Sequence, residues 1–108
     1  MKIKKINFNE QVWTVTKKIP RGKVSTYANL AKALGNPSAS RAVGNALHRN
    51  PYAPGVPCHR VVRSDGSLGG YAGGNQKKAA LLRKEGVRIK NEKVDLGTFG
   101  YELRLAKA

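Results

Sequence analysis

The stretch Pro57-Cys58-His59-Arg60-Val61-Val62 decides how this chain is interpreted, because it holds the only cysteine and one of only two histidines. A cysteine attacks as its thiolate, and a neighbouring imidazole or cation raises the thiolate fraction at neutral pH. Pro57 fixes its own φ, so we expect a rigid turn followed by a short strand at Val61-Val62. Adjacent residues on an extended segment point to opposite sides, so a water could relay the proton between Cys58 and His59. The alternative is a lone buried cysteine that behaves as a small hydrophobe.

Length and charge limit the remaining possibilities. The 108 residues suffice for a single domain over residues 1–108, and Lys and Arg total 21 against 6 Asp and Glu, for a net charge of +15. This excess favours a nucleic acid partner; no apolar run approaches the length of a membrane span, and no signal peptide is recognisable. One cysteine excludes an internal disulfide and suits a reducing compartment, and the few histidines argue against a structural zinc site. We therefore expect a soluble, intracellular protein that binds nucleic acid and no metal.

Four helices are predicted from apolar spacing and from capping residues. Trp13, on the first helix, is expected to lie in the hydrophobic core of the protein. Ser25 and Ser38 are candidate N-caps of the second and third helices. Gly35 and Gly86 are expected to end the second and fourth helices. The predicted ranges are about Asn9 to Lys18, Ser25 to Gly35, Ala39 to Arg49 and Gln76 to Glu85.

The second and third helices, joined by a turn at Asn36-Pro37-Ser38, match the plan of a helix-turn-helix, in which the second helix enters a DNA groove. That third helix offers two kinds of group to a ligand. Ala42 and Gly44 are small enough to permit close backbone approach, and its polar groups are Arg41, Asn45, His48 and Arg49. The alternative is a solvated basic face of a small helical hairpin.

The C-terminal half is less informative. Four of the six residues from Gly69 to Gly74 are glycines, but no Gly-Lys-Ser/Thr follows, so we reject a phosphate-binding P-loop. A tight loop that approaches a ligand, with Tyr71 as a planar wall, is the better interpretation. Glu85, by composition alone, is a surface ion-pairing acid. Val87-Arg88-Ile89 is predicted to be extended, and the alternating Phe99, Tyr101, Leu103 and Leu105 could add an edge strand.

These motifs together resemble the C-terminal active-site domain of the O6-alkylguanine-DNA alkyltransferases, also called methylated-DNA–protein-cysteine methyltransferases. The resemblance covers about residues 8–90, in the order of the family. It implies an α+β, mainly helical, winged-helix-like domain with a helix-turn-helix and a short β element. The matching stretches are Ile19-Pro20-Arg21-Gly22-Lys23-Val24-Ser25-Thr26-Tyr27, Arg41-Ala42-Val43-Gly44, Asn50-Pro51, Pro57-Cys58-His59-Arg60-Val61-Val62, Gly69-Gly70-Tyr71-Ala72-Gly73-Gly74 and Glu85-Gly86.

The resemblance implies a suicidal DNA-repair enzyme in which Cys58 takes an alkyl group irreversibly from guanine O6. His59 would act as the base through a water, with Glu85 orienting the imidazole, which replaces the surface role deduced from composition. Asn50 would brace the turn that leads to the cysteine. No cofactor or metal is needed, and a monomer would act on double-stranded DNA in the cytoplasm, or in the nucleus of a eukaryote.

The resemblance also implies how DNA is held. Tyr27 would rotate the phosphate of the target nucleotide, and Arg41 would enter through the minor groove and fill the gap left by the flipped guanine. Two further sets of residues follow from the same resemblance. The expected DNA-binding residues are Tyr27, Arg41, Ala42, Gly44 and Asn45, and the guanine pocket is expected from Tyr27, Leu47, Val61, Tyr71 and Ala72.

Two departures from the family pattern matter. The additional N-terminal domain of most members has no counterpart here, and Ala72 stands where many members have serine, which leaves a main-chain contact to O6 but no hydroxyl. Alkyltransferase-like proteins are equally short, but they replace the cysteine and only bind the lesion. A non-catalytic lesion-binding protein that recruits other repair factors is thus the second hypothesis. A plain helix-turn-helix regulator is the third, and it leaves Cys58 unexplained.

Overall fold

The computed structural model describes residues 7–53, 55–71 and 74–103. The chain is mostly helical with two very short sheets, which confirms the predicted α+β, mainly helical class. Within the described residues, every helix is too short or too polar to span a membrane. The elements in chain order are α1 (Phe8–Thr16), β1 (Ser25–Thr26), α2 (Tyr27–Ala33), α3 (Ser40–His48), the 3-10 turn Cys58–Arg60, β2 (Val61–Val62), α4 (Asn75–Lys84), β3 (Ile89–Lys90), β4 (Lys93–Val94) and α5 (Leu96–Phe99).

Helix α1 begins one residue earlier and ends two residues earlier than its pattern predicts. Asn7 caps it, because its side-chain oxygen accepts a hydrogen bond from the Glu10 amide at 2.8 Å. The end tightens into i−3 hydrogen bonds, from the Lys18 amide to the Val15 carbonyl and from the Ile19 amide to the Thr16 carbonyl. Trp13 is half-buried against the core, with its indole nitrogen donating to the Ala46 carbonyl at 2.8 Å.

Helices α2 and α3 form the predicted helix-turn-helix, but neither candidate serine caps a helix. The α2 cap is Thr26, whose hydroxyl accepts from the Asn29 amide at 3.0 Å, while Ser25 lies in β1 and donates to the Asn29 side chain. Ser38 instead donates to Asn36 at 3.2 Å, and α3 begins after Ala39 without a side-chain cap. The Ser25 prediction was wrong because strand pairing makes that residue part of β1.

A parallel pair of strands lies between the two hydrophobic clusters of the core. Val61-Val62 is the predicted strand, and it pairs in register with Ser25-Thr26 of β1. Val61 belongs to the cluster formed with α1, α2 and α3, and Val62 belongs to the cluster formed with α4 and the C-terminal segment. The strand that follows the cysteine is therefore anchored on both sides.

Helix α4 ends as predicted at a glycine. Gly86 has φ +93°, its amide donates to the Arg83 carbonyl, and the Val87 amide donates to the Leu82 carbonyl, which is a Schellman motif. Val87 therefore belongs to the helix cap, and the extended segment begins only at Ile89. The observed helix, Asn75–Lys84, is shifted by one residue from the prediction.

The C-terminal segment differs most from its prediction. Strands β3 and β4 form an unpredicted antiparallel hairpin, with Asn91 and Glu92 at φ 53° and 59° in its turn. Phe99 ends α5, which is capped by Asp95, so the predicted edge strand is wrong at this residue. Beyond it, only one isolated parallel bridge joins Gly100 to Val24, while Leu103 is buried in the core and Leu105 lies outside the described residues.

Gly66 closes the turn between β2 and the glycine loop, and it provides a test of the fold. Its φ is +87°, and a methyl group on it would overlap the Val94 carbonyl oxygen. We expect Gly66→Ala to lower the free energy of unfolding by about 2–4 kcal/mol, measured by urea denaturation. Gly70→Ala is the matched control, because no atom lies within 4 Å of its added Cβ. Equal losses in both variants would contradict this packing.

Candidate active site and nucleic-acid interface

Cys58 is presented by a tight turn rather than by an extended segment. The Arg60 amide donates to the Pro57 carbonyl at 2.9 Å, which closes the 3-10 turn, and the Cys58 amide donates to the Val56 carbonyl at 2.8 Å, which forms a γ-turn centred on Pro57. The Cys58 side chain is nearly buried, with 8% of its surface exposed. The rigid turn before a short strand is as predicted, although its helical character was not.

Asn50 ties the end of the helix-turn-helix to this turn. Its side-chain nitrogen donates to the Val56 carbonyl at 3.0 Å, and its side-chain oxygen accepts from the Tyr52 amide at 2.8 Å. Val56 in turn accepts from the Cys58 amide. The path from α3 to the cysteine is thus held by a short chain of hydrogen bonds.

His59 and Arg60 converge on the carboxylate of Glu85. His59 Nε2 lies 3.0 Å from Glu85 Oε2, and Arg60 binds both oxygens, with Nε at 2.9 Å from Oε1 and Nη2 at 2.8 Å from Oε2. Arg60 also donates from Nη1 to the Ile19 carbonyl at 2.8 Å. Sequence reasoning paired His59 with Glu85 through the resemblance but assigned no role to Arg60, although it directly follows His59.

The charges of His59, Arg60 and Glu85 determine which of their nitrogen and oxygen atoms carry protons. Burial would raise the pKa of Glu85, but hydrogen bonds and charge from Arg60 and His59 lower it to about 2. Burial lowers the pKa of His59, an effect that Glu85 opposes and that Arg60 and Lys78 reinforce. At neutral pH the carboxylate is ionised and can only accept, so Nε2 of a neutral imidazole carries the proton.

The other imidazole nitrogen is therefore a base with a free lone pair. His59 is 2% exposed, and its Nδ1 is buried without a hydrogen-bond partner among the described residues. A buried polar atom of this kind needs an explanation, and proton transfer to or from a small bound group is one.

Lys78 is a buried cation that sequence reasoning missed. It is 0% exposed, and its ammonium donates to the carbonyls of Val61 (2.6 Å), Leu68 and Gly70 (3.2 Å). Burial lowers its pKa to about 8, Cys58 acts in the opposite direction and Arg63 lowers it further. The ammonium form still dominates at pH 7, so all three protons are available to hold the strand and the glycine loop on α4. A lysine on a helix with polar neighbours gives no sequence signal of such burial.

A groove of about 550 Å³ lies between α3 and the glycine loop. Gly44 lies close to Tyr27, since a Cβ added to it would be 3.9 Å from the tyrosine ring. Ala42 is exposed on α3 but does not line the groove. Four of the expected DNA-binding residues line it, namely Tyr27, Arg41, Gly44 and Asn45. They are joined by His48, a predicted polar group of the third helix, by Gly70 of the glycine loop, and by Ser40 and Arg63, which were not expected.

Of the residues expected to form the guanine pocket, the described ones belong to or pack against the hydrophobic cluster that contains Cys58. Leu47 and Val61 are buried in the same cluster as Cys58, and Tyr27 and Tyr71 pack against that cluster. Ala72 lies outside the described residues. In the described part of the chain, no three His, Cys, Asp or Glu side chains converge to hold a metal ion.

The Glu85 pKa predicts how stability depends on pH. A carboxyl whose pKa falls from 4.5 to about 2 on folding stabilises the native state above pH 4.5, and this contribution is lost as the pH falls through about 2. The shift corresponds to about 3 kcal/mol. We expect the unfolding free energy of the wild type, measured by urea denaturation, to fall between pH 5 and pH 2 by about 3 kcal/mol more than that of Glu85→Gln.

The control for this measurement is Glu92→Gln, on the exposed hairpin turn. The lowered pKa of His59 adds a loss of stability that begins below about pH 6.5, so the Glu85 contribution is taken from the difference between the wild-type and Glu85→Gln profiles below pH 4.5. If Glu85→Gln and Glu92→Gln follow the same profile below pH 5, the partly buried ion pair does not exist in solution.

Residues 7–87 match the family model described as 6-O-methylguanine DNA methyltransferase, DNA binding domain. The chain is 53% identical to the methylated-DNA–protein-cysteine methyltransferase of Methanosarcina acetivorans over 79 residues, which are 73% of this chain and 51% of the relative. It is 52% identical over 82 residues to that of Salmonella typhimurium, which covers 76% of this chain and 48% of the relative. The chain thus spans about half the length of the curated relatives that it matches.

Solved structures show the same likeness. S. pombe Atl1, in complex with damaged DNA containing O6-carboxymethylguanine, superposes with a TM-score of 0.81 at 32% identity, covering 93% of this chain and 99% of that chain. Mycobacterium tuberculosis OGT in complex with DNA gives a TM-score of 0.72 at 43% identity, covering 78% of this chain and 52% of that chain. With most of its residues inside the matched range, the chain belongs to the DNA-repair family of the 6-O-methylguanine DNA methyltransferases, through the DNA-binding domain of that family.

Proposed function

We propose that this chain is a single-turnover DNA alkyltransferase and corresponds to the C-terminal, active-site domain of its larger relatives. The observation that carries the proposal is the placement of Cys58 in one tight turn with a buried His59 that is hydrogen-bonded to Glu85. All three residues lie inside the range that matches the family. The thiolate sulfur would attack the alkyl carbon, a new S–C bond would form, and the bond from that carbon to guanine O6 would break.

The protons in this step balance through His59. A water between the Cys58 sulfur and Nδ1 of His59 would carry the thiol proton to the imidazole, and the released guanine anion would take a proton back. Glu85 and Arg60 would hold the imidazole with its free lone pair towards the cysteine. The imidazolium that forms is stabilised by the ionised carboxylate, as in other nucleophile–base–acid arrangements.

The groove beside α3 would hold the DNA. Recognition through the minor groove suits a repair protein, because little sequence can be read there. Arg41 would fill the stack after the guanine has flipped, Tyr27 would rotate its phosphate, and the exposed helix face with Ala42, Gly44 and Asn45 would lie along the backbone. The guanine would sit among Tyr27, Leu47, Val61, Tyr71 and Ala72. The protein would act as a monomer on double-stranded DNA in the cytoplasm, or in a eukaryotic nucleus.

A second candidate is a non-catalytic protein that binds O6-alkylguanine and recruits other repair factors. One observation favours it: the chain superposes on S. pombe Atl1 with a TM-score of 0.81, against 0.72 for Mycobacterium tuberculosis OGT. Cys58 and its buried base favour catalysis. The two functions differ in one measurable respect, the fate of the alkyl group.

The deciding experiment uses duplex DNA that carries radiolabelled O6-methylguanine. We expect the label to move to the protein, intact mass to rise by one methyl group, and peptide mapping to place the methyl on Cys58. Cys58→Ala should lose transfer entirely and keep its affinity for DNA, because binding rests on the groove beside α3. Tight binding of the lesion without transfer would instead support the second candidate, and indifference to the lesion would support a plain DNA-binding regulator.

The proton relay makes a separate prediction about rates. A free thiol has a pKa of about 8.5, so only a few per cent is thiolate at neutral pH. We expect His59→Gln and Glu85→Gln each to slow transfer at pH 7 by roughly 10²-fold or more, and to recover partly as the pH approaches 8.5. The double variant should be little slower than the slower single variant, because the residues act as a unit. A Glu85→Gln rate equal to that of the wild type throughout would eliminate the relay.

A further inference from the structure

The groove beside α3 has a second cation on the wall that faces the helix. Arg41 lies on the α3 wall, and Arg63 lies opposite with Gly70, while Tyr27 lies between the walls. No acidic residue is among the described residues that line this groove. The described groove is therefore positively charged on both sides, and an anion between the walls would be favoured.

Local structure fixes Arg63 in this position. Its amide donates to the Ser67 carbonyl at 2.9 Å, and its carbonyl accepts from the Gly66 amide at 2.8 Å. Gly69, at φ +71°, allows the Arg63 stem to approach Tyr27, since an added Cβ would be 3.0 Å from the tyrosine hydroxyl and 3.5 Å from Arg63 Cγ. The backbone is held at both ends of the turn, and the side chain packs beside the floor of the groove.

The guanidinium of Arg63 has no protein partner among the described hydrogen bonds and ion pairs, although it lies near other positive charge. The Tyr27 hydroxyl and Arg63 Cγ both lie beside Gly69, and burial raises the pKa of Tyr27 while the charge of Arg63 opposes this shift. Burial lowers the pKa of Lys78, Cys58 opposes this shift and Arg63 adds to it. Arg63 is exposed, so water solvates its charge in the free protein, and a phosphate that docks beside it would be attracted by both Arg63 and Lys78.

We propose that Arg63 and the hydroxyl of Tyr27 form a subsite for one DNA phosphate that flanks the extruded nucleotide, opposite Arg41. A guanidinium suits this ligand because its planar fork can donate two hydrogen bonds to phosphate oxygens. A phosphate here would also offset part of the positive charge of Lys78. The inference deepens the proposed function, because its ligand is the DNA strand that carries the lesion.

Binding of chemically modified duplexes tests the subsite directly. The probes are duplexes with one O6-methylguanine in which a single flanking phosphate is replaced by an uncharged methylphosphonate, one position at a time. Equilibrium binding uses the Cys58→Ala background, so that no alkyl transfer consumes the probe. We expect one methylphosphonate position to weaken binding about tenfold, in line with the loss of one good phosphate contact.

Arg63→Gln should weaken binding of the unmodified duplex by a similar factor and reduce the salt dependence of log K by about one. In this variant the sensitive methylphosphonate should cost nothing further, because its partner is already absent. Arg63→Lys should recover only part of the loss, since an ammonium lacks the fork. The matched control is Arg83→Gln, an exposed arginine in the last turn of α4 that lines a different groove.

Kinetics separate the subsite from a catalytic or structural role. With Cys58 present, Arg63→Gln should slow transfer from the methylated duplex but leave transfer from free O6-benzylguanine unchanged, because the free base has no phosphate. Three results would each overturn the subsite. The first is an equal loss of duplex affinity in Arg63→Gln and Arg83→Gln, and the second is a further loss of affinity in Arg63→Gln with every methylphosphonate. The third is an equal slowing of transfer from the duplex and from the free base. If the wild type transfers no alkyl group, the proposed function fails, and the binding series still decides on the subsite.

Discussion

The carboxylate of Glu85 is the constraint on which the site depends. It accepts hydrogen bonds from His59 and from two nitrogens of Arg60, and Arg60 extends the connection to the Ile19 carbonyl after α1. One acid thus connects the end of α4, the turn that carries the cysteine and the end of α1. Removing a single partner from a buried ion pair leaves an uncompensated charge, so the three elements depend on each other. The same contact keeps one imidazole nitrogen protonated and the other free.

Helix α4 also holds the strand after the cysteine, through a group of opposite charge. Lys78, nearly two turns before Glu85, donates to the carbonyls of Val61, Leu68 and Gly70. These carbonyls belong to β2 and the glycine loop, neither of which has a long sheet to satisfy its backbone groups. A short two-residue strand would otherwise leave them unpaired in the interior. The buried lysine therefore replaces the hydrogen bonds between strands that a larger sheet would provide to these carbonyls.

Some basic residues of the protein hold the fold together, and others line the groove. Arg60 and Lys78 are used inside, where each has several acceptors. Arg41 and Arg63 face each other across the groove, where neither has an acidic neighbour among the lining residues. Tyr27 connects the two roles, because its ring packs against the core and its hydroxyl lies 3.5 Å from the Lys78 ammonium.

The helix-turn-helix, the glycine stop of α4 and the turn at Cys58 could be predicted from the sequence because they depend on local signals, whereas the pairing of His59 with Glu85 followed only from the resemblance to the family. Tertiary structure decided what depends on distant partners. Thr26 rather than Ser25 caps α2 because β1 pairs with a strand that lies 36 residues away in the chain, at Val61 and Val62. Lys78 is buried because three distant carbonyls compensate its charge, which no pattern within α4 reveals. The C-terminal residues alternate like a strand, but the Asp95 cap makes a helix end at Phe99, and only packing brings Leu103 into the core.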